Sequence, residues 1–562
     1  MDHLVVRTNL DNLTWGHVAV LVTSVIFVLV ATKRRRSHFP MAPGKLPLIG
    51  HALALADSDM FHSVVKGWAA KVGTKEGIFE FNLLGKRWIV LCSTESVMAC
   101  MKLRPFKMIR AKILTRSIDS LNGDGIFSSN GDQWRRERRI VAPALNQNHV
   151  RDFFPSIQLV SKRLVHKWTK AKSADETVDI PAANLDITAF ALDIVALSIL
   201  GMDINTIHHP ESQLAKDVME LFRITFLRTL APIPYWKIPI IGSHLDGFCD
   251  GNKRIVKTLT SKVQEYRKRK AEETNGTTTT TTTTNGTTSN NKRNNQTFVE
   301  KIIDIAEGEK VQLNDEQVVG NLLTVFVAAT DTSSNTVSFS LWELANDLVL
   351  QDELYQEVVE YTQGGKKSLD DLTMEDALEC FPRLRSFLFE MLRLKGPGPF
   401  LFFEPAKTMN FLGKTIDPGD VLVTVGPAYP HDPATTKCEV PFGPNGESPQ
   451  AFCPRRWLTT QSEEEEEKKQ DDDAHDDDDS TTLRPKLITP SNRQAGFLAF
   501  GHGLRVCPGK MYAHVEMTTI MVHLLHNFRI TPAKDCPKMT VVSRFTETFA
   551  EDLKLTLASR KL

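Results

Sequence analysis

The stretch FGHGLRVCPG, from Phe500 to Gly509, constrains the fold of this chain more than any other feature. It surrounds a single cysteine, Cys507, with three glycines, a proline and an arginine. Glycine is used where the backbone takes strained angles or where something large approaches it closely. Arginine supplies a rigid positive fork that suits carboxylates and phosphates. The stretch therefore predicts a loop around a bulky, acidic ligand that is held by sulfur.

The residues after Cys507 indicate the state of its sulfur. Pro508 and Gly509 open a predicted helix that runs through Phe528. The free N–H groups at the N-terminus of a helix favour negative charge, so they favour a thiolate over a thiol. A lone cysteine is usually structural. The residues before Cys507 decide whether it is a structural thiol or a thiolate that binds a ligand.

Those preceding residues suit a flat ligand. Gly501 and Gly503 let the loop lie close under such a ligand, and the ring of Phe500 can pack on its face. Arg505 can reach an acidic group at its edge. A flat, acidic ligand bound by a thiolate is haem, whose propionates carry the acid.

Composition argues against other classes of ligand and partner. The chain has 68 basic and 68 acidic residues, so its net charge of zero gives no sign of binding nucleic acid. The eight cysteines are scattered and include no CxxC pair, which indicates neither a zinc site nor a disulfide framework. Dispersed thiols suit a reducing compartment.

An apolar run near the N-terminus predicts a membrane anchor. Residues 15–32 would form a helix roughly 27 Å long, which just spans a bilayer. Four basic residues at 33–36 follow, and they place everything after them in the cytosol. A cleaved signal peptide would instead carry its basic residues before the apolar run. Residues 1–36 are therefore predicted to be an uncleaved, single-pass anchor with a lumenal N-terminus.

The rest of the chain is predicted to form one domain with two insertions. Residues 37–50 are proline-rich and predict a hinge, and residues 78–91 predict a β-hairpin. Most of the remainder has helical periodicity. The polar residues 274–297 and the acidic residues 462–480 lack the apolar side chains that would offset the entropy of ordering. Residues 51–562 are thus expected to be mainly α with a small β region.

The cysteine loop resembles the haem-binding loop of the cytochrome P450 family. Six motif positions carry the expected residue type, and these residues would contact haem: Phe500, Gly501, Gly503, Arg505, Cys507 and Gly509. The resemblance runs from about the hinge to Leu562, apart from the insertions. It implies the cytochrome P450 fold, as a single large domain, and a haem b whose iron is ligated axially by Cys507.

Two charged residues in FEMLRL add to this resemblance. Glu390 and Arg393 stand three positions apart on one helical face, and their neighbours are apolar, so the pair is predicted to point inward. In the family a third residue, matched here by Arg456, completes a structural triad. Losing one member of such a buried ion pair costs about 3–5 kcal/mol.

The segment VFVAATDTSSN resembles the family's oxygen-activating turn. Asp331 and Thr332 interrupt an otherwise apolar helix, and Thr332 is expected to bond back to the carbonyl of Ala328. By resemblance, Thr332 is the hydroxyl at the oxygen site and Asp331 the proton relay. The family commonly has glycine at Ala329, which is a minor departure.

The segment WRRER is predicted to serve the haem propionates. By resemblance, Trp134 and Arg138 contact a propionate, whereas the other arginines face an acidic redox partner. The family often carries a further propionate-binding arginine at the position of Phe403. Since Phe403 cannot replace it, one propionate is expected to rely on Arg138 and Arg505, or on His502.

The leading hypothesis is therefore a haem-thiolate monooxygenase in the endoplasmic reticulum membrane. Electrons are expected from NADPH through a separate NADPH-cytochrome P450 reductase, with cytochrome b5 as a second candidate donor. The membrane anchor suggests a lipophilic substrate. Two alternatives keep the haem: an isomerase or dehydratase of hydroperoxides, which typically lacks the acid–alcohol pair, and a haem-binding sensor without catalysis.

Overall fold

The computed structural model describes most of the chain between residues 39 and 560. The described residues are 39–57, 61–72, 77–119, 125–170, 177–231, 234–238, 242, 249–274, 296–398, 400–425, 444–448, 451–459, 486–488, 497–543 and 546–560. The predicted anchor at residues 1–36 and the acidic insertion at residues 462–480 lie outside them. So does most of the polar insertion at residues 274–297.

Helices form most of the described chain, which confirms the mainly α fold class. In chain order they are α1 (Phe61–Val72), α2 (Thr94–Leu103), α3 (Lys112–Asp119), α4 (Gly131–Val141), α5 (Gln147–Lys170), α6 (Ala183–Val195), α7 (Gln213–Leu230), α8 (Cys249–Thr274), α9 (Phe298–Gly308), α10 (Asp315–Asn346), α11 (Leu348–Tyr361), α12 (Met374–Glu379), α13 (Pro382–Lys395) and α14 (Lys510–Asn527).

The β region is small and lies in several separate sheets. Its strands are β1 (Ile78–Leu83), β2 (Lys86–Leu91), β3 (Met108–Arg110), β4 (Thr177–Ile180), β5 (Phe400–Pro405), β6 (Met409–Phe411), β7 (Lys414–Ile416), β8 (Val421–Val425), β9 (Phe528–Pro532), β10 (Val541–Ser543), β11 (Glu547–Phe549) and β12 (Leu555–Ser559). The largest sheet has the order β1-β2-β8-β5-β3, and a second has the order β4-β12-β9. Two hairpins, β6-β7 and β10-β11, complete the set.

The hairpin predicted at residues 78–91 is present as β1 and β2. The strands pair antiparallel from Ile78 opposite Leu91 to Leu83 opposite Lys86. Leu84 and Gly85 form the two-residue turn, and both have positive φ, 49° and 81°. A turn of this kind matches the twist of its strands, and glycine takes positive φ without strain.

Helix α10 passes through the centre of the domain. Its N-terminus is fixed by a capping box in which Asn314 and Gln317 each accept a hydrogen bond from the other's backbone N–H. Helix α6 packs against it. Among the described residues, one helical stretch, Ala183–Leu200, is apolar and long enough to cross a membrane. Because 67% of it is buried inside the domain, the structure places this stretch in the core.

Candidate active site

The cysteine loop folds back on itself before α14 begins. The N–H of Cys507 donates to the carbonyl of Phe500 at 2.8 Å, and that of Val506 donates to Gly503 at 3.0 Å. Gly501 and Gly503 take φ values of 72° and 70°, which side chains other than glycine rarely adopt. The glycines are therefore required by the turns that bring Phe500 and Cys507 side by side.

Cys507 lies three residues before the first residue of α14. The residue is exposed by accessible area, yet its surroundings are dense enough that burial raises the pKa of the thiol. The backbone N–H of Gly509 and the charges of Arg138 and Lys510 act in the opposite direction. The helix N-terminus thus favours the thiolate as expected, but burial outweighs it, and a thiolate here needs a bound cation.

One face of α10 is accessible inside an otherwise buried helix. Its accessible or half-buried residues include Thr324, Val327, Ala328, Asp331 and Thr332. They recur at intervals of three and four residues, so they form a single stripe. The rest of this part of the helix is largely buried. The stripe is therefore an accessible surface on an otherwise largely buried part of the helix.

Asp331 and Thr332 lie on this stripe, and both of their side chains form hydrogen bonds. The hydroxyl of Thr332 donates to the carbonyl of Ala328 at 2.7 Å, as predicted. The carboxylate of Asp331 accepts hydrogen bonds from Thr546 and, at 3.2 Å, from the side-chain amide of Asn335. The contact with Thr546 was not predictable from the segment itself.

Arg505 lies beside α4, with part of its guanidinium unpaired. Its Nη2 donates to the carbonyl of Ser129 at 2.6 Å, and the guanidinium stacks 4.6 Å over the ring of Trp134. Within the described chain, Nε and Nη1 are buried without a hydrogen-bond partner. Burial, and next the positive charge of Arg104, lower the pKa of Arg505 to about 9. The two unpaired N–H groups require an acceptor.

Arg138 contacts the cysteine loop directly. Its Nη1 donates to the carbonyl of Val506 at 2.8 Å, so the side chain braces the residue next to Cys507. Burial lowers the pKa of Arg138, and attraction to Cys507 acts against this shift. Trp134 and Arg138, predicted to share one propionate, are therefore both found at the loop, with Trp134 supporting Arg505.

Phe403 has an arginine as its partner on the neighbouring strand. It pairs with Arg110 across β5 and β3, and the guanidinium of Arg110 lies 5.6 Å from the Phe403 ring and 4.3 Å from Phe127. Arg104 stacks on Phe403 from 4.7 Å. Phe403 is fully buried beneath these side chains. Arg110 on the adjacent strand thus lies beside the position where the family often carries an arginine.

Arg104, Arg110, Arg138 and Arg505 form what we call the arginine cluster. Burial lowers the pKa of each, and neighbouring positive charges lower it further at Arg110 and Arg505. Among the described residues no ion pair joins any of them to a carboxylate, and Nη1 of Arg110 is buried without a partner. Buried positive charge of this kind requires an anion. The two propionates of haem fit the cluster in charge and in donor geometry.

The predicted triad is assembled around Glu390. Arg393 donates twice to this carboxylate, at 2.7 and 2.8 Å, and Arg456 once at 3.0 Å. The N–H of Cys453 and the indole of Trp457 each add a bond of 2.9 Å. Burial opposes ionisation, but the hydrogen bond and charge of Arg393 lead the effects that hold the pKa of Glu390 below its usual value. The carboxylate is therefore fully paired.

Sequence reasoning missed Arg104, Arg110, Trp457 and Thr546. Arg110 and Thr546 act through partners that are far away in the chain, so no local pattern marks them. Trp457 follows Arg456 directly and could have been suspected from its place in FCPRRW. The described residues include no cluster of metal-ligating side chains.

A glycine-rich cysteine loop at the start of a long helix, a buried triad and an unneutralised arginine cluster define a haem-thiolate protein. The family model described as Cytochrome P450 matches residues 40–547, and the chain belongs to this family. The family and its fold carry haem iron ligated by cysteine, and the chain is a monooxygenase of this class.

Individual relatives are distant but extensive. The chain is 22% identical over 452 residues to a probable cytochrome P450 28d2 of Drosophila melanogaster, covering 78% of this chain and 75% of that protein. It is 23% identical over 519 residues to a self-sufficient cytochrome P450 monooxygenase of Aspergillus niger, covering 91% of this chain and 40% of that protein. The crystal structure of the cytochrome P450DA heme domain superposes with a TM-score of 0.69 at 19% identity, covering 93% and 98% of the two chains.

Proposed function

We propose that this protein inserts one oxygen atom from O2 into a lipophilic substrate, with Cys507 as the iron ligand and with Asp331 and Thr332 handling protons. One observation carries the proposal: Cys507 is exposed at the end of its loop, and Arg138 and Arg505 beside it form no ion pair with a carboxylate among the described residues. When bound, haem supplies the activation of dioxygen, which a thiolate ligand promotes.

The residues around the haem have separate roles in this proposal. Arg505 and Arg110 bind the propionates through N–H groups that are otherwise unpaired, and Trp134 holds Arg505 in place. Arg138 fixes the backbone next to Cys507. Phe500, Gly501, Gly503 and Gly509 shape the loop against the porphyrin.

Residues of α10 would manage protons in this reaction. The hydroxyl of Thr332 is held by the carbonyl of Ala328, which leaves its oxygen free to accept a further hydrogen bond. Asp331 precedes it and passes protons from water towards the reacting oxygen. A side-chain bond to the carbonyl one turn earlier, as Thr332 makes to Ala328, is of the kind that bends helices, and such a bend would favour the entry of water.

Electrons are proposed to come from NADPH through a separate flavoprotein reductase, with cytochrome b5 as a second donor. The side chains of Arg135, Arg136 and Arg139 are exposed on α4, whose inner face contacts the cysteine loop. An acidic partner that docks there would lie close to the haem. The Aspergillus niger relative is described as self-sufficient, so the source of electrons differs within the family.

The arrangement in the cell follows from the predicted anchor. We propose that residues 1–36 hold the protein in the endoplasmic reticulum membrane, that residues 37–50 link it to the body, and that residues 51–562 form the cytosolic catalytic domain. Residues 274–297 and 462–480 would be surface insertions in that domain. A membrane-bound position favours substrates that partition into lipid.

The alternatives are disfavoured by one feature of α10. An isomerase or dehydratase of hydroperoxides needs no proton delivery to oxygen, and neither does a sensor. Asp331 and Thr332 are both present, and both lie on the accessible stripe of α10. This pair favours oxygen activation.

The decisive experiment combines purified protein, NADPH-cytochrome P450 reductase and lipophilic compounds selected by their spectral shift on binding. With ¹⁸O2 and NADPH we expect a product that contains one labelled oxygen atom. Consumption of a hydroperoxide without NADPH would instead support the isomerase. Binding of CO with no product from any binding compound would support the sensor.

A further inference from the structure

The acid of the oxygen-activating turn is held by a residue from a different part of the fold. Thr546 directly precedes β11, and its hydroxyl donates to Oδ2 of Asp331. The side-chain amide of Asn335 donates to the same threonine oxygen at 3.1 Å and to the backbone carbonyl of Asp331 at 2.9 Å. Hydrogen bonds thus run in one direction, from Asn335 through Thr546 to Asp331.

The burial of these side chains makes the bonds effective. Thr546 is 3% exposed and Asn335 is 7% exposed, whereas Asp331 is half-buried on the accessible stripe of α10. A bond to a carboxylate is strong where water does not compete for the donor. The position of the Asp331 carboxylate is therefore set by buried donors, Thr546 at Oδ2 and Asn335 at Oδ1.

Thr546 is itself fixed by its neighbour in the chain. The N–H of Glu547 donates to the carbonyl of Pro397 at 2.9 Å, and its carboxylate contacts the buried imidazole of His62 on α1. Two separate elements thus hold the start of β11. The threonine hydroxyl has a defined position relative to α10, which is what orientation of another side chain requires.

We propose that Thr546 is a positioning residue for proton delivery. Its hydroxyl orients the Asp331 carboxylate beside Thr332. Thr546 itself neither gains nor loses a proton over the reaction, because the proton that Asp331 passes on is replaced from water. This inference rests on the proposed role of Asp331 in the monooxygenase reaction. It adds a contribution from the β10-β11 hairpin to a function otherwise confined to α10.

The test replaces the hydroxyl while keeping the shape of the side chain. We expect Thr546→Val to raise the hydrogen peroxide released per NADPH consumed about tenfold, as for the loss of one hydrogen bond to a charged group. The solvent deuterium isotope effect on NADPH consumption should also increase. Thr546→Ser, which keeps the hydroxyl, should restore both values to near wild type. If Thr546 had a merely structural role, the solvent deuterium isotope effect would be the same for Thr546→Val and Thr546→Ser.

Two further variants make the result decisive. Thr548→Val changes the same strand at a half-buried threonine and should leave both measurements unchanged. Asp331→Asn should raise peroxide at least as much as Thr546→Val. If Asp331→Asn raises peroxide and Thr546→Val does not, our inference is wrong while the proposed function stands. If Asp331→Asn has no effect, the proton role proposed for Asp331 fails, and the role of Thr546 fails with it.

Should Thr546→Val not give the CO spectrum of the intact protein, Thr546→Ala carries the same comparison with serine. Equal peroxide release by alanine and serine variants would overturn the inference.

Discussion

At Cys507, burial and local charge act on the thiol in opposite directions. Burial raises its pKa, while the N–H of Gly509 and the charges of Arg138 and Lys510 lower it less than burial raises it. The protein alone therefore does not secure the thiolate, and ligation to iron does. The identity of this one side chain should decide the spectrum of the haem.

We expect Cys507→Ser to abolish the CO difference band of thiolate-ligated haem, because a serine oxygen does not supply the same electron density. The reduced, CO-treated absorbance spectrum of the purified protein measures this. Cys536→Ser, in the loop after β9, is the control and should keep the band. An unchanged spectrum of the Cys507 variant would mean that another residue ligates the iron.

The second residue-scale prediction concerns Arg110. Because its Nη1 lacks a partner among the described residues, we expect Arg110→Leu to speed haem loss about tenfold, the equivalent of one charge-assisted hydrogen bond. Haem transfer to apomyoglobin measures the rate. Arg135→Leu removes an exposed arginine on α4 and is the matched control. Equal rates for the wild type and the Arg110 variant would exclude a contact with a propionate.

These residues also show what a sequence can and cannot predict. The bond from Thr332 to Ala328 spans one helical turn, so the apolar segment around it was enough to predict it. Glu390 and Arg393 are likewise one turn apart. Arg110 and Phe403 meet only because β3 pairs with β5, and no periodicity contains that register. The sequence shows Phe403 where the family often has an arginine, but it does not show that Arg110 lies beside Phe403 in the fold.

At the scale of elements, α10 and α14 are joined by a buried bond next to Thr332. Ser333 donates from its hydroxyl to Oε2 of Glu516 at 2.7 Å, and both side chains are buried. Burial raises the pKa of Glu516 to about 8, and the bond from Ser333 offsets this only in part. The folded protein therefore binds this proton more tightly than the unfolded chain does.

The sign of the resulting pH dependence follows from linkage. The stability supplied by protonated Glu516 is fully present below its ordinary pKa of 4.5 and is lost as pH rises through about 8. Glu516→Gln removes the titration, so its apparent Tm relative to wild type should increase between about pH 5 and about pH 9. Each unit of pKa difference corresponds to about 1.4 kcal/mol.

Thermal unfolding at several pH values tests this, with Glu272→Gln as the control, since Glu272 is exposed on α8. A difference between Glu516→Gln and wild type that stays constant with pH would show that Glu516 does not titrate in this range.

Elements differ in how well the sequence predicts them. The β1-β2 hairpin and helices α10 and α14 are continuous segments with clear periodicity, and the structure contains all three. The sheet β4-β12-β9 joins a segment from the first third of the chain to two segments near its end. Its short strands carry no local signal of that pairing, since pairing depends on the packing of the helices between them.

For the whole molecule, net charge is less informative than where the charges lie. The chain is neutral, yet the arginine cluster lies at the cysteine loop. On the outer face of α4, which carries Arg138 of this cluster, three further arginines are exposed. Trp134 and Arg138 face inward on α4, whereas Arg135 and Arg136 face solvent. In our proposal, one helix thus contributes to haem binding on one side and to docking of the reductase on the other.

This arrangement predicts that electron supply and haem binding can be separated by mutation. We expect Arg136→Glu to slow reduction by NADPH and reductase roughly tenfold, because like charges would oppose an acidic partner. Reduction by dithionite and the CO band should be unaffected, since Arg136 is exposed. Added salt should slow the wild type more than the variant, because it screens an attraction that only the wild type has.

Lys257→Glu reverses an exposed charge on α8 and provides the control for the overall change of charge. It should leave reduction by the reductase unchanged. If Lys257→Glu and Arg136→Glu slow reduction equally, the effect comes from total charge, and docking at α4 is excluded. If Arg136→Glu also loses the CO band, the two sides of α4 are not independent, because a change on the outer face then reaches the arginine cluster.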